Sequence, residues 1–351
     1  MAGLILVANA GSSSLKLSVV GNDDTTTPVE SLENAPYGVT GVAHRIVHGG
    51  DRFREPVLID DAVRDQLVGL GDLAPLHNRL EVGVVDQARR LLPEVPHVAV
   101  FDTAFHATIP EEAAAYAVPR RWREEWGIRR YGFHGLSVQW AAEQVPVARL
   151  VVCHLGAGCS VTAVEDGRSV DTTMGFSPLD GVPMATRAGS VDPAIPLYLI
   201  RTRQLDAPAI EHALEQESGL LGLSGSSSRV EVLERSEDPA AQLALAVFVH
   251  RVAGAVAAMS AALRGLDALV FTGGVGERSA AVRSGICDRL GFLGVELDAE
   301  ANDRAEPDAE IHSGRVTVVV LRAREDVVAA REARRVIARN MTQTSSRTAV
   351  S

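Results

Sequence analysis

Residues 4–20 read LILVANAGSSSLKLSVV: an apolar run, a turn of small and polar residues, then a second apolar run. The pattern predicts two β-strands around a tight loop that carries Asn9, Ser12, Ser13, Ser14 and Lys16. Backbone N–H groups, three hydroxyls, one amide and one ammonium gathered in a loop suit an anion such as phosphate. Gly11 lets a ligand approach the backbone with no Cβ in the way. The G-x-x-x-x-G-K-[ST] spacing is absent and a strand follows, so this is not a Walker loop. Asn-Ala-Gly also makes plain hairpin turns, and the rest of the chain has to decide between the two readings.

The same design returns in LVVCHLGAGCSVTAVEDG (150–167), with Gly156, Ala157, Gly158, Cys159 and Ser160 in the turn. A third glycine turn, LVFTGGVGERS (269–279), joins a strand to a helix. Two strand–turn–strand units and a strand–GG–helix turn predict a duplicated α/β scaffold that holds a phosphorylated ligand between its halves. HVAVFD (97–102) reads as a buried strand ending in a carboxylate, and helical spacing over 60–92 is broken at Pro75. Pro110, followed by Glu111 and Glu112, opens a helix, and residues 239–264 form a long apolar one. Residues 23–38 read as a polar loop or short strand connection, and the tail after Asn340 as disordered.

Length suggests two domains for 351 residues, and 46% apolar residues suffice for a core. A net charge of −11 argues against nucleic acid or anionic membrane as a partner, so an anionic substrate needs a local basic pocket. Three cysteines fit a reducing cytosol. The N-terminal apolar run is too short for a signal segment, and His250, Arg251 and Arg264 interrupt the best membrane-spanning candidate. The expectation is a cytoplasmic protein.

Phosphoryl transfer asks a protein for cations, a metal held by carboxylates and in-line positioning. Arg45 lies in an apolar strand, where its charge needs an anion, either a structural carboxylate or a substrate. Arg187 sits in a loop rich in Gly and Pro, where an ion pair is the competing explanation. Asp102 ends a buried strand, a usual place for a ligand-binding group in α/β sheets. His77, His134 and His154 flank similar turns, with no zinc spacing among them.

These motifs carry a resemblance over nearly the whole chain. The opening N-x-G-S-S-S-x-K, then FDTAFHATIP, YGFHG, HLGxG, MGFSPLDG, TRAGSVDP and FTGGVGE resemble the ordered signatures of the acetate kinase family. The resemblance implies the actin and sugar-kinase fold: two RNase H-like domains with a cleft between them, and a homodimer. It implies an N-terminal domain over 1–104 with 327–351, and a nucleotide-side domain over 105–326. By position, Asn9, Ser14 and Lys16 would lie near the transferred phosphate, with Gly156 and Gly158 in the second turn. Arg45 and Arg187 would bind the acyl carboxylate and the phosphoryl group, assisted by His154, with His134 and His77 in support. Asp102 and Glu325, with Asn9, would organise Mg2+ (or Mn2+). Val47, Leu76, Phe133 and Pro178 match a small pocket for the acetate methyl, and Arg229, Val230, Glu231, Gly273, Gly274, Val275, Gly276 and Arg278 match the ATP side. The implied reaction is reversible transfer from ATP to acetate. A pocket of this kind separates homologues poorly, since one methylene is worth about 1–3 kcal/mol; propionate therefore remains an alternative, with butyrate a same-fold runner-up.

The departures fall mostly on the nucleotide side. HLGNG is HLGAG here; the family's Asp-Phe-Arg is Arg229, Val230 and Glu231; an asparagine is Arg278; and LHNPPN is LHNRLE, with Arg79 and Leu80 in place of both prolines. The stretch between the first hairpin and Arg45 is also short. Either ATP still binds through backbone and glycine contacts, or the donor has changed to pyrophosphate or another nucleotide. A catalytically dead binding paralogue is the reading from another class, and retention of Asn9, Arg45, Asp102, Arg187 and Glu325 argues against it.

Overall fold

The computed structural model describes residues 3–10, 15–72 and 78–348. The opening run folds as a hairpin: β1 (Leu4–Ala10) pairs antiparallel with β2 (Leu15–Val20), placing Asn9 opposite Lys16. β3 (Thr26–Val29), from the stretch read as a loop or strand connection, adds to β2. β4 (Val39–Ile46) then runs parallel to β1, with Asn9 beside Arg45. β5 (Val57–Leu58) and β6 (His97–Phe101) complete a sheet of order β3-β2-β1-β4-β6-β5.

The second sheet contains β7 (Arg149–Leu155), β8 (Cys159–Glu165), β9 (Arg168–Thr172), β10 (Ala268–Thr272), β11 (Ala309–Glu310) and β12 (Thr317–Val320). Its order, taken from the other end, is β9-β8-β7-β10-β12-β11. Each sheet is thus an antiparallel meander of three strands, two further strands parallel to the first, and a short antiparallel edge strand. This identity of topology is the duplication that the repeated turns predict. The central parallel strands β6 and β10 are buried at every position, as strands covered on both faces must be.

The chain packs as two compact units: Met1–Ala107 with Phe133–Trp140 and Arg324–Ser351, and Thr108–Gly132 with Ala141–Ala323. Phe133–Trp140, inside the stretch 105–326, therefore packs with the first sheet. In the first unit, helix Asn78–Leu91 covers one face of the sheet, and Ala88 joins Leu6, Ala8, Leu17 and Val42 in a buried cluster. The last helix, Glu325–Thr348, packs on β1, β4 and β6, and Ser18 Oγ donates to Asp326 Oδ2 at 3.4 Å. Ser18 lies on the opposite face from Leu17, so the two helices sandwich the sheet. The tail expected to be disordered instead continues this helix to Thr348. MTQTSSRT contains neither Gly nor Pro, and extending an existing helix costs far less than starting one.

In the second unit, helix Pro239–Ala262 buries Ala241, Ala244, Phe248, Val252, Val256 and Met259 at helical spacing against β7, β8 and β9. Among the described residues it is the one helix long and apolar enough to cross a membrane, and that stripe makes it a core helix. The helix after Pro110 is one turn, Glu111–Ala114.

Candidate active site

In the first unit, Lys16, Asn9 and Arg45 occupy adjacent positions on three neighbouring strands. Register partners point to the same face, and this is the face covered by the helix that Glu325 opens. Arg45 is held on two sides. Its Nε and Nη2 donate to Asp102 Oδ1 and Oδ2 at 2.9 and 2.5 Å, and its Nη1 donates to Asn9 Oδ1 at 3.0 Å. Burial works against its charge, but Asp102 and, further off, Glu325 more than offset this, and its pKa lies above the ordinary arginine value. Of the two explanations for a charged residue in this strand, the structural carboxylate is present. Asp102 is itself fixed: its N–H donates to the Ile46 carbonyl at 3.0 Å, and its carbonyl accepts from Gly135 N–H at 2.9 Å.

Val47, just past β4, is buried, and so is Phe133. His48 stands edge-on to the Phe133 ring with centroids 5.3 Å apart. His134, next in the chain, has φ +59°, a left-handed conformation unusual for a residue with a Cβ and typical of functional loops. Ser14, Leu76 and His77 lie outside the described residues, as do Gly11, Ser12 and Ser13.

In the second unit the two glycine turns converge. A Cβ built on Gly156 would stand 3.8 Å from both Gly274 N and His154 Nε2, and 3.5 Å from the Gly158 carbonyl. Gly273 has φ +77°, and a Cβ there would be 2.8 Å from the Leu155 carbonyl, so only glycine fits this turn. Gly276 is buried, Val275 half-buried, and the Arg278 guanidinium folds back over Gly274. Ala157 is exposed; its carbonyl accepts from Ala185 N–H at 3.2 Å, which ties this turn to the Arg187 loop.

Arg187 is largely buried, yet no carboxylate among the described residues lies within salt-bridge range. Its Nη1 donates to the Pro178 carbonyl at 3.4 Å. Burial lowers its pKa, with Glu215 and Cys159 pulling the other way. The ion pair offered as its competing explanation is therefore absent among the described residues. Pro178 touches this arginine, whereas Val47 and Phe133 belong to the first unit.

Arg229 and Glu231 pair with each other, Nε to Oε1 at 2.8 Å, and that bond holds the Glu231 pKa below the usual carboxylate range, with Arg278 contributing. Val230 is 4% exposed, so its side chain belongs to the core and only its backbone could meet a ligand. Cys153, Cys159 and Cys287 are free and buried, and burial raises all three thiols, leaving them protonated.

Two carboxylates were missed in the sequence. Glu277 Oε1 accepts from Gly273 N–H at 3.1 Å and Ala323 N–H at 3.0 Å, bracing the second glycine turn. Glu81 is buried below Val47. Both sit in quoted motifs, FTGGVGE and LHNRLE; for Glu277 a charged residue beside a glycine turn was the available signal, and for Glu81 there was none.

A duplicated α/β scaffold with a pinned arginine in one unit, and in the other an arginine beside glycine turns that meets no carboxylate among the described residues, fits a phosphotransferase of the duplicated-domain kinase class. The acetokinase family profile matches residues 29–331. The acetate kinase of Dictyoglomus thermophilum is 46% identical over 312 residues, 85% of this chain and 78% of that protein. That of Nostoc punctiforme is 44% identical over 298 residues, 81% and 73%. Among solved structures, a propionate kinase from Francisella tularensis superposes with TM-score 0.88 at 33% identity, covering 95% of this chain and all of its own. Porphyromonas gingivalis acetate kinase gives 0.85 at 31%, covering 96% and 100%. The chain belongs to the acetokinase family.

Proposed function

We propose that this protein is an acetate kinase that transfers the terminal phosphoryl group of ATP reversibly to acetate, giving acetyl phosphate and ADP. The observation that carries the reading is Arg187, a largely buried guanidinium with no carboxylate partner among the described residues. A buried charge left in that state calls for an anionic ligand, and charge on a transferring phosphoryl group is what it would stabilise. Arg45 is the complementary case: Asp102 and Asn9 fix its orientation, so it meets a substrate anion without reorganising.

The acetate carboxylate is itself the nucleophile: its oxygen forms the new P–O bond as the bond to the leaving ADP oxygen breaks, and no side chain is acylated or phosphorylated. Asn9, Asp102 and Glu325 offer hard oxygen donors on one unit, a chemistry that suits Mg2+, which keeps several waters and takes the rest of its ligands from phosphate. No cluster of three His, Cys, Asp or Glu that could cage a metal exists among the described residues. Bound there, the ion would neutralise donor phosphate charge. Asp102 already serves Arg45 with both oxygens, which makes Glu325 the freer carboxylate. Gly156, Gly158, Gly273, Gly274 and Gly276, with Lys16 and His154, supply the remaining phosphate contacts in this reading.

The altered nucleotide-side residues support ATP more than a smaller donor. Arg229 and Glu231 neutralise each other, so Arg278 is the one added charge of that group. Acyl phosphate formation, trapped as the hydroxamate with ATP, GTP and pyrophosphate against acetate and propionate, decides donor and acceptor together. No acyl phosphate with any pair would overturn the reading in favour of a binding paralogue; faster turnover with pyrophosphate would overturn ATP. Helix Ala194–Arg203 leaves Ile195, Leu197, Tyr198 and Ile200 exposed around its circumference, apolar surface that supports a homodimer. Three free cysteines support a reducing, cytoplasmic setting.

A further inference from the structure

Two carboxyl side chains are fully buried among the described residues, Asp102 and Glu81. Arg45 takes the first. Glu81 meets no cation within salt-bridge range among the described residues, although it is 2% exposed. It lies on the apolar stripe of helix Asn78–Leu91, in line with Val85 and Ala88, a place where a carboxyl is expensive unless something uses it. Its two oxygens accept from a single donor, Val47 N–H, at 3.1 and 3.3 Å. Val47 is the first residue past β4, two beyond Arg45.

We propose that Glu81 is the positioning residue of the acyl pocket: by holding Val47 N–H it sets where Val47 and Arg45 stand relative to an incoming carboxylate. The proposal rests on reading Arg45 and Val47 as acyl-side residues. The charge state of Glu81 then matters. Burial pushes its carboxyl up to about 8, with the Val47 bond and Arg45 opposing and Asp102 adding to the rise. Among the described residues, the charged groups that act on it are Arg45 from β4 and Asp102 from the end of β6. Near neutral pH it is a neutral acid whose carbonyl oxygen can keep the Val47 bond. Once ionised, it places a second negative charge beside Arg45 and weakens that residue's pull on a carboxylate substrate.

The test compares wild type, Glu81→Gln and Glu81→Ala for KM of acetate, KM of ATP and kcat between pH 6 and 9, with thermal midpoints over the same range. Wild type should show acetate KM rising above pH 8 while ATP KM stays flat. Glu81→Gln keeps a carbonyl acceptor but cannot ionise, so it should match wild type at pH 7 and lose the alkaline rise. Glu81→Ala should raise acetate KM at pH 7 by about fivefold, the scale of one buried hydrogen bond, with no alkaline rise of its own. An alkaline rise that persists in Glu81→Gln, or an unchanged acetate KM in Glu81→Ala, would overturn the proposal. A wild type that makes no acyl phosphate would instead overturn the functional reading. In that case the thermal midpoints still read Glu81: no loss of wild-type stability relative to Glu81→Gln between pH 6 and 8 rules out the buried neutral acid.

Discussion

Arg45 and Arg187 are kept ready for anions by opposite means. Arg45 has its full complement of partners in Asp102 and Asn9, so replacing Asp102 by Asn would leave a buried guanidinium short of its counterion and should lower both stability and activity. Arg187 is held by burial and one carbonyl, so Arg187→Ala removes an uncompensated charge. We expect that variant to lose about a thousandfold or more in kcat/KM, the range of a phosphoryl-clamping arginine, with a thermal midpoint equal to or above wild type. Steady-state rates and a melting curve on the same preparation check this, and a lowered midpoint would mark Arg187 as structural. His134 offers a second residue-scale test. Its left-handed backbone costs of order 1 kcal/mol in a residue with a Cβ. His134→Gly relieves that backbone strain while turnover should fall, and unchanged turnover would show that the ring contributes nothing. Arg45 in its apolar strand was legible because a lone charge there demands an anion; which anion was not, since Asp102 lies far away in the chain.

The glycine turns separate what folding needs from what a ligand needs. Gly273 has a positive φ and no space for a Cβ, with the Leu155 carbonyl 2.8 Å away. Gly273→Ala should destabilise the protein by about 2 kcal/mol or more and abolish activity with it, read as a fall in thermal midpoint. Gly156 has room, its nearest neighbours standing at 3.5–3.8 Å. Gly156→Ala should keep the wild-type midpoint and raise KM for the phosphoryl donor several-fold; an unchanged KM would remove this turn from the donor site. Both hairpins were legible because apolar runs and the small-residue turns between them are local signals. Glu81 was not, because one polar residue on an amphipathic helix reads as part of its solvent face until the fold shows which face is covered. The helical tail after Asn340 was hidden for a similar reason: MTQTSSRT is polar, but polarity alone does not stop a helix that packing has already started.

At the scale of the whole molecule, the chain order does not follow the duplication. The helix after β12 leaves the second sheet and packs on the first, burying Val327, Val328, Ala329, Ala330 and Ala333. No local pattern announces this; the two sheets can be read from repeated turns, but the sheet that a terminal helix covers is a long-range packing choice. The first unit also holds buried titratable groups whose effects on stability oppose one another. Burial lowers His44 to about 3 and His106 to about 4, against an ordinary value of 6.5. For both, the unfolded chain takes up the proton first, so stability present above pH 6.5 is lost as pH falls. Each contributes about 1 kcal/mol per pH unit across that window. Glu81 runs the other way: its folded value of about 8 exceeds the unfolded 4.5, so the native state holds the proton more tightly and stability falls as pH rises through that interval. The sum is a maximum near pH 6.5, with the histidines steepening the acid side and Glu81 sloping the alkaline side. Thermal midpoints from pH 4 to 9 should show that maximum. His106→Gln should flatten the acid limb alone, and Glu81→Gln should extend the plateau towards pH 8. A wild-type midpoint that climbs steadily to pH 8 would mean that Glu81 is ionised in the folded protein.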